Sequence, residues 1–503
     1  MMLGWLDFVV VGAYFVAILA VGIWFGRREG STYDYFLGGK RQHWLVVGLS
    51  IIATEVSALT FISVPADSFQ GDWNYLQMYA GAFLGRILIV LLLLPAFYGG
   101  AVTTVYEYLG QRFGPWTRTT ASLMFIASRI IGSGIRLLAA SLAIAVVFGW
   151  RLEWVVLGAA AVAIAYTTFG GIKAIIWTDA LQAVIFLGGG VAVLAFLFLS
   201  IPGTCVENLS TAYNAGKLHT FTWGRDLNNE KLFWVLLISA TVQNCAALGV
   251  DQDLTQRMLT CPDLRRGQRS LLFNAVMGLP IVCLFLLIGT MISVYYGTQQ
   301  SLSLPAHVLD HSDRVFPHFI AHVLPSGYGL KGLLVAGIFA ASMSSLDSAL
   351  GALSSTAVTD FYRPFMARRR RHAETTSSQT EAGAMKELRL ARFLTFFFGL
   401  LLAVVALSFA GHDRLLWEVF KWVGLIFGAM LGVFLLGVTT RTRGHDHFNT
   451  ASMLSSIAIL VVIKLYQEHA STVYIAWPWW VVIGTAWTYG LAACFSGRHG
   501  RPR

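Results

Sequence analysis

Charge is scarce in this chain of 503 residues. Asp, Glu, Lys and Arg make up 12% of it, about half the roughly 25% usual in soluble proteins. A water-facing surface cannot be assembled from so little, and a soluble enzyme or a disordered protein is excluded. Cysteine is scarce too. The five present, Cys205, Cys245, Cys261, Cys283 and Cys494, have no metal-ligand spacing and mostly fall in or beside apolar runs, where they act as small buried hydrophobes. That excludes a secreted disulfide scaffold. The 12 histidines lie mainly in loops or near the termini (His43, His219, His311, His372, His445, His499), with no HExxH-type spacing. With no clustered nucleophile and base either, no enzyme and no resident cofactor is expected.

Apolar residues are what the chain has in quantity: 56%, with 49 glycines, 34 Phe, 17 Tyr and 16 Trp. This is the composition of a polytopic membrane protein whose aromatics partly mark the interfaces. The net charge of +10 comes without a basic, aromatic-interleaved module, which argues against nucleic acid. Arg27-Arg28, Arg265-Arg266 and the run from Arg368 to Arg371 instead lie in short loops between apolar runs. The first such run starts at Leu6 with no basic segment before it, as an ordinary span does.

At about 20 residues per span, thirteen spans are expected near 6–25, 44–66, 76–98, 119–147, 154–169, 178–201, 231–250, 270–296, 329–362, 389–409, 415–437, 449–466 and 476–496. Runs this long and uniform are helices, not barrel strands, because backbone groups in lipid must be satisfied internally. Alternate loops hold 22 Lys and Arg on one side and 5 on the other. This places the N-terminus outside and the C-terminus in the cytoplasm, in a plasma membrane of the bacterial inner-membrane kind. The segment 363–388 is polar and reads as a flexible cytoplasmic linker, its arginine run a topology signal and lipid contact.

Two spans carry polar stretches that suggest interrupted helices: Ala53-Thr54-Glu55-Val56-Ser57-Ala58-Leu59-Thr60 in the second, and Gln243-Asn244-Cys245-Ala246-Ala247-Leu248-Gly249 in the seventh. Freed carbonyls can ligate a cation where a cavity shields them from lipid. Both stretches open a set of five spans, and an odd number of helices per repeat inverts the second copy, as in alternating-access transporters.

Five segments in order, "SIIATEVSALTF" at 50–61, "VYEYLGQRFGP" at 105–115, "AYTTFGGIKAIIWTDALQ" at 165–182, "VDQDLTQRMLT" at 250–260 and "AASMSSLDSALGALSSTAVTDFYRP" at 340–364, resemble the sodium/solute symporters, relatives of the sodium/glucose, iodide, multivitamin and proline carriers. The resemblance covers residues 6–440. It implies a leucine-transporter-like core of two inverted five-helix repeats. The expected division is 1–43 for the first span and loop, 44–201 for the first repeat, 202–230 for an extracytoplasmic loop, 231–437 for the second repeat with linker 363–388, and 438–503 for two further spans and a tail.

Ala341, Ser344 and Ser345 stand at i, i+3 and i+4 and share one helical face. For an isolated serine pair the ordinary reading is back-bonding to its own helix. The resemblance implies sodium here, with the Ala53 and Val56 carbonyls completing a shell of neutral oxygens. Glu55 lies between them, either on the cation path and in coupling or as the partner of a buried arginine; unpaired at mid-bilayer it costs about 3 kcal/mol or more. Asp179 is implied at the inner end of the sodium exit route. Asp347 follows Ser344 on the same face, and with Ser348 and Asp179 it offers a second cation or proton site, unless it pairs with a cationic side chain such as Lys173.

Arg86, Arg129 and Arg136 lie inside spans. Arg129 and Arg136 are seven residues apart, about 10 Å along one face. In this fold the fourth span lines the substrate cavity, so Arg136 is expected to clamp a carboxylate, while Arg129 is a candidate for an ion pair with Glu55 or another acid. Thr60, Gln243 and Asn244 are the expected neutral hydrogen-bonders. Thr60 stands where the family's sugar carriers have glutamine, and Ala247 and Leu248 replace the aromatic gate after Asn244. The expected function is therefore a sodium-coupled symporter for a carboxylate-bearing anion, with sodium, a small solute and the bilayer as partners and no obligate protein partner. A sugar or neutral solute is the alternative. A passive channel, or a sensor with a signalling domain after the last span, is further off.

Overall fold

The computed structural model describes residues 3–26, 32–56, 58–298, 304–370, 379–411, 415–469 and 475–496. These are helical apart from loops and two isolated β-bridges, Thr222 with Leu232 and Arg443 with Ser496. The helices that build the molecule are α1 (Trp5–Gly26), α2 (Trp44–Glu55), α3 (Ala58–Gln70), α4 (Met78–Leu88, continued by a π-helical turn to Gly99), α5 (Val105–Arg112), α6 (Pro115–Phe148), α7 (Leu152–Ser200), α8 (Phe233–Gly249) and α9 (Gln252–Leu259). After them come α10 (Leu264–Thr298), α11 (Val315–His322), α12 (Leu330–Thr356, continued by a π-helical turn over Ala357–Tyr362), α13 (Gln379–Ser408), α14 (Leu415–Thr439), α15 (Asp446–His469) and α16 (Pro478–Ala493). All thirteen expected runs fall on helices. By length and composition, eight of the described helices can cross a membrane, or ten if each of two bent pairs is one span. The other runs give shorter apolar helices, among them Leu152–Ala165 and Val423–Thr439.

The two bent pairs are the expected interruptions. Trp44–Glu55 and Thr60–Gln70 meet at 54°, and Phe233–Gly249 and Gln252–Leu259 at 62°. The second break is displaced from its expected place: 243–249 remains helical through Gly249, and the chain turns at Val250 and Asp251, where the Asp251 carboxylate accepts the Asp253 N–H at 2.9 Å and caps α9.

Two further expectations are corrected. The loop expected at 170–177 is a one-residue corner, Gly171 at φ 54° and ψ −178°, a left-handed backbone that glycine adopts without strain. The segment 363–388, expected as a flexible linker, is helical over Arg363–Arg370 and again from Gln379, with 371–378 outside the described residues, and Arg363 makes a 2.6 Å ion pair with Glu387. Helix–helix contact relies on small residues, as in other membrane bundles: a Cβ on Gly85 of α4 would sit 2.6 Å from the Thr241 carbonyl of α8. In this packing α12 lies against α7 and close to α2 and α6, which sets its serine face opposite the first break.

Candidate functional site

At the first break, α2 ends in Ala53, Thr54 and Glu55, and Val56 leaves the helix at φ −80° and ψ 73°. The last carbonyls of a helix have no N–H of their own to accept, so this end presents oxygens to whatever faces it. What faces it is α12. The Ser344 hydroxyl donates to the Ala53 carbonyl at 3.0 Å and lies 3.3 Å from the Ala341 carbonyl, which the Ser345 hydroxyl also reaches at 3.3 Å. Ala53, Ala341, Ser344 and Ser345 are fully buried, and Val56 is buried beside them at the break. Four of the five expected sodium ligands thus form one chain of oxygen contacts between two helices. A hard cation could be ligated by carbonyls and hydroxyls together, with the hydroxyl lone pairs turned inward.

One turn along, Ser348 donates to the Ser344 carbonyl at 2.6 Å and its N–H to Asp347 Oδ1 at 3.2 Å. Asp179 takes a different set of partners: the Ser50 hydroxyl at 2.6 Å and the Arg257 guanidinium at 2.9 Å. Both carboxylates lie within electrostatic range of Tyr14, whose hydroxyl receives Gln182 at 3.3 Å and donates to the Met343 sulfur at 3.6 Å. Lys173, the cation considered as a partner of Asp347, binds Asp34 at 3.3 Å.

Glu55 has the buried-arginine partner that was its second reading. That arginine is Arg86, fully buried, while Glu55 is one quarter exposed; its other oxygen accepts Asn274 at 2.8 Å. Arg129 does not reach Glu55. It pairs with Asp251 at 3.2 Å and with Asp253, and Asp253 is shared with Arg257, whose Nε also donates to Ser50 at 2.8 Å. The second break is therefore tied to α2, α6 and α7 by one buried network of two arginines and three aspartates. Sequence reading passed over Asp251, Asp253 and Arg257 as ligating groups, although two carboxylates and an arginine within seven residues of a membrane chain are a strong signal of pairing.

Arg136 is different. Its Nε, like those of Arg86 and Arg129, is buried without a hydrogen-bond partner, but unlike them it forms no ion pair with an acid among the described residues; Asp251 and Glu55 act on it only at longer electrostatic range. Thr60 and Gln243 are buried. Gln243 lies towards Gly424 of α14, and Asn244 uses its amide on the Ala240 carbonyl of its own helix at 3.1 Å.

The chain matches the Sodium:solute symporter family over residues 35–444. It belongs to that family. Among its relatives, a sodium/sialic acid symporter of Proteus mirabilis is 30% identical over 461 residues, covering 91% of this chain and 89% of its own. The human sodium/iodide cotransporter is 27% identical, with coverage of 93% and 70%. Human sodium-coupled monocarboxylate transporter 2 is 26% identical, with coverage of 86% and 68%. A solved outward-open, substrate-bound sodium-coupled sialic acid symporter superposes with a TM-score of 0.82 at 27% identity, covering 98% of this chain and 97% of its own. The nucleobase-cation transporter Mhp1, at 13% identity and a TM-score of 0.54, shares the fold alone. The protein is a sodium-coupled solute symporter with a leucine-transporter-like fold, set in the membrane by many passes, and not an enzyme.

Proposed function

We propose that this symporter imports a small carboxylate-bearing anion, driven by sodium bound between α2 and α12, with the N-terminus outside and the C-terminus in the cytoplasm of a plasma membrane. The observation that carries the substrate class is Arg136: a guanidinium inside a long spanning helix, with no acid paired to it among the described residues. An arginine so placed needs an anion or a wet cavity, and its planar fork suits a carboxylate bidentately. The relatives named for sialic acid, iodide and monocarboxylates support an anion, and none of those names is a neutral sugar. Sodium would bind at the Ala53, Val56, Ala341, Ser344 and Ser345 oxygens, with Asp179, Asp347 and Ser348 offering a second cation or exit site, Glu55 acting in coupling, and Thr60, Gln243 and Asn244 completing the substrate cavity. Two sodium ions per monoanion would let the inside-negative potential, worth about 2.3 kcal/mol per charge per 100 mV, drive uptake. The test is uptake of labelled organic acids into proteoliposomes under sodium and potassium gradients, with neutral sugars alongside. Sodium-dependent accumulation of an acid is the expected result; accumulation of a sugar instead would overturn the substrate class, and downhill flux indifferent to sodium would overturn coupling.

A further inference from the structure

A cavity lies on the far side of α12 from the proposed sodium ligands. It measures about 490 Å³ and runs between α1, the first half of α7 and α12, lined by Phe15, Trp154, Gly158, Val162, Phe339 and Ser342 among others. That is within the roughly 300–1,000 Å³ of ligand pockets, and the mix of aromatic walls with few polar groups is also theirs. Trp154 and Val162 are exposed on its rim, and both stand on a helix running through the membrane, so the groove opens sideways to lipid. At one end, where α6 passes into α7, are Trp150 and Arg151. Exposed tryptophans beside a cation mark the headgroup layer. Arg151 is 77% exposed and its pairing with Glu153 is long, 3.4 Å, and likewise exposed; such a pair contributes little and leaves the guanidinium available to a phosphate. The floor is Phe339, Ser342 and Met343. At 3.6 residues per turn these form the face of α12 nearly opposite Ala341, Ser344 and Ser345. The Ser342 hydroxyl is buried with no hydrogen-bond partner among the described residues, which leaves one unsatisfied polar group at the floor.

We propose that this groove binds an anionic phospholipid, phosphate on Arg151 and acyl chain against Phe15 and Phe339, and that the bound lipid supports the sodium-binding turn of α12 from behind. The bilayer is the phase the groove opens to, and Arg151 selects the charge. A Cβ on Gly158 would meet no atom within 4 Å, so Gly158→Leu adds bulk to the groove from an open position. The test uses the full chain in phosphatidylcholine with and without phosphatidylglycerol, reading retained lipid by native mass spectrometry and sodium half-saturation by a binding assay. Wild type should retain phosphatidylglycerol and lower its sodium half-saturation when that lipid is added. Gly158→Leu should lose both effects, and Arg151→Gln, a surface change that leaves the packing intact, should weaken retention about fivefold. Equal retention by wild type and both variants would overturn the site. Retention lost in Gly158→Leu with sodium half-saturation unaffected by lipid would overturn the action on α12. Lipid retention needs no transport, so this result is independent of whether the solute is a carboxylate.

Discussion

The Ser344 hydroxyl donates to the Ala53 carbonyl at 3.0 Å, joining two helices through residues 291 apart in the chain. This bond crosses between the broken helix α2 and the continuous helix α12. An ion held there replaces a single hydrogen bond with a shell of oxygens from both, which is how a small cation can set the relative position of two long elements.

Ser344→Ala should therefore raise the sodium half-saturation for uptake by about tenfold, the equivalent of roughly 1.4 kcal/mol, and the double change with Ser345→Ala should raise it further, with expression unaltered. Sodium titration of uptake at saturating solute measures this. A double variant with wild-type sodium dependence would remove these serines from the cation site.

Asp347 is fully buried and holds the Ser348 N–H at 3.2 Å, one turn from Ser344. If it serves a second cation, Asp347→Ser should lower the Hill coefficient for sodium, or abolish a proton dependence, while transport persists. Titrations at two external pH values separate those cases. Loss of folded protein would assign Asp347 to the scaffold instead.

Glu55 and Arg86 form a pair in which only the carboxylate has solvent contact. Removing one partner leaves an uncompensated charge, costing about 3–5 kcal/mol, whereas replacing both with neutral groups is often close to neutral. Arg86→Met should thus lower the thermal midpoint markedly, and adding Glu55→Gln should restore much of it. If the double variant is as unstable as the single, the charge of Glu55 is not what Arg86 compensates. Uptake by a restored double variant then reads coupling separately from folding.

The serine face of α12 was legible because 3.6-residue periodicity places Ala341, Ser344 and Ser345 together whatever they pack against, and its family came from ordered motifs. The break near α8 was misplaced for a physical reason. Gln243 and Asn244 look like an interruption by composition, yet a polar side chain inside a helix can bond its own backbone, as Asn244 does to Ala240, and leave the ladder intact. The actual stop is Asp251, which reads as an ordinary loop carboxylate until its caps and partners are known. Arg129 was read as a possible partner of Glu55 because both are charges in spans; which of several acids it meets is decided by how α6 packs beside α9, and no spacing within one helix encodes that. Gly171 likewise turns a helix in one residue, where hydropathy alone suggests a loop of eight.

Arg136 carries the last prediction because the structure separates it from its neighbour. Arg129, seven residues earlier on the same helix, is ion-paired with Asp251 and Asp253, so a change there strikes the scaffold at the second break. Arg136 has no such acid bonded to it among the described residues, and its buried Nε is far from either end of α6, too far for the side chain to snorkel to a headgroup. Arg136→Lys keeps the charge but replaces a planar two-donor fork with a point donor, so solute affinity should fall by about tenfold or more, as expected for a lost bidentate contact. Sodium binding measured without solute should change little. Arg129→Lys is the control: it should lower the thermal midpoint first. Should Arg136→Lys instead abolish sodium binding and leave solute affinity per folded carrier unchanged, Arg136 belongs with Asp251 in the scaffold, and the case for an anionic solute loses its structural support.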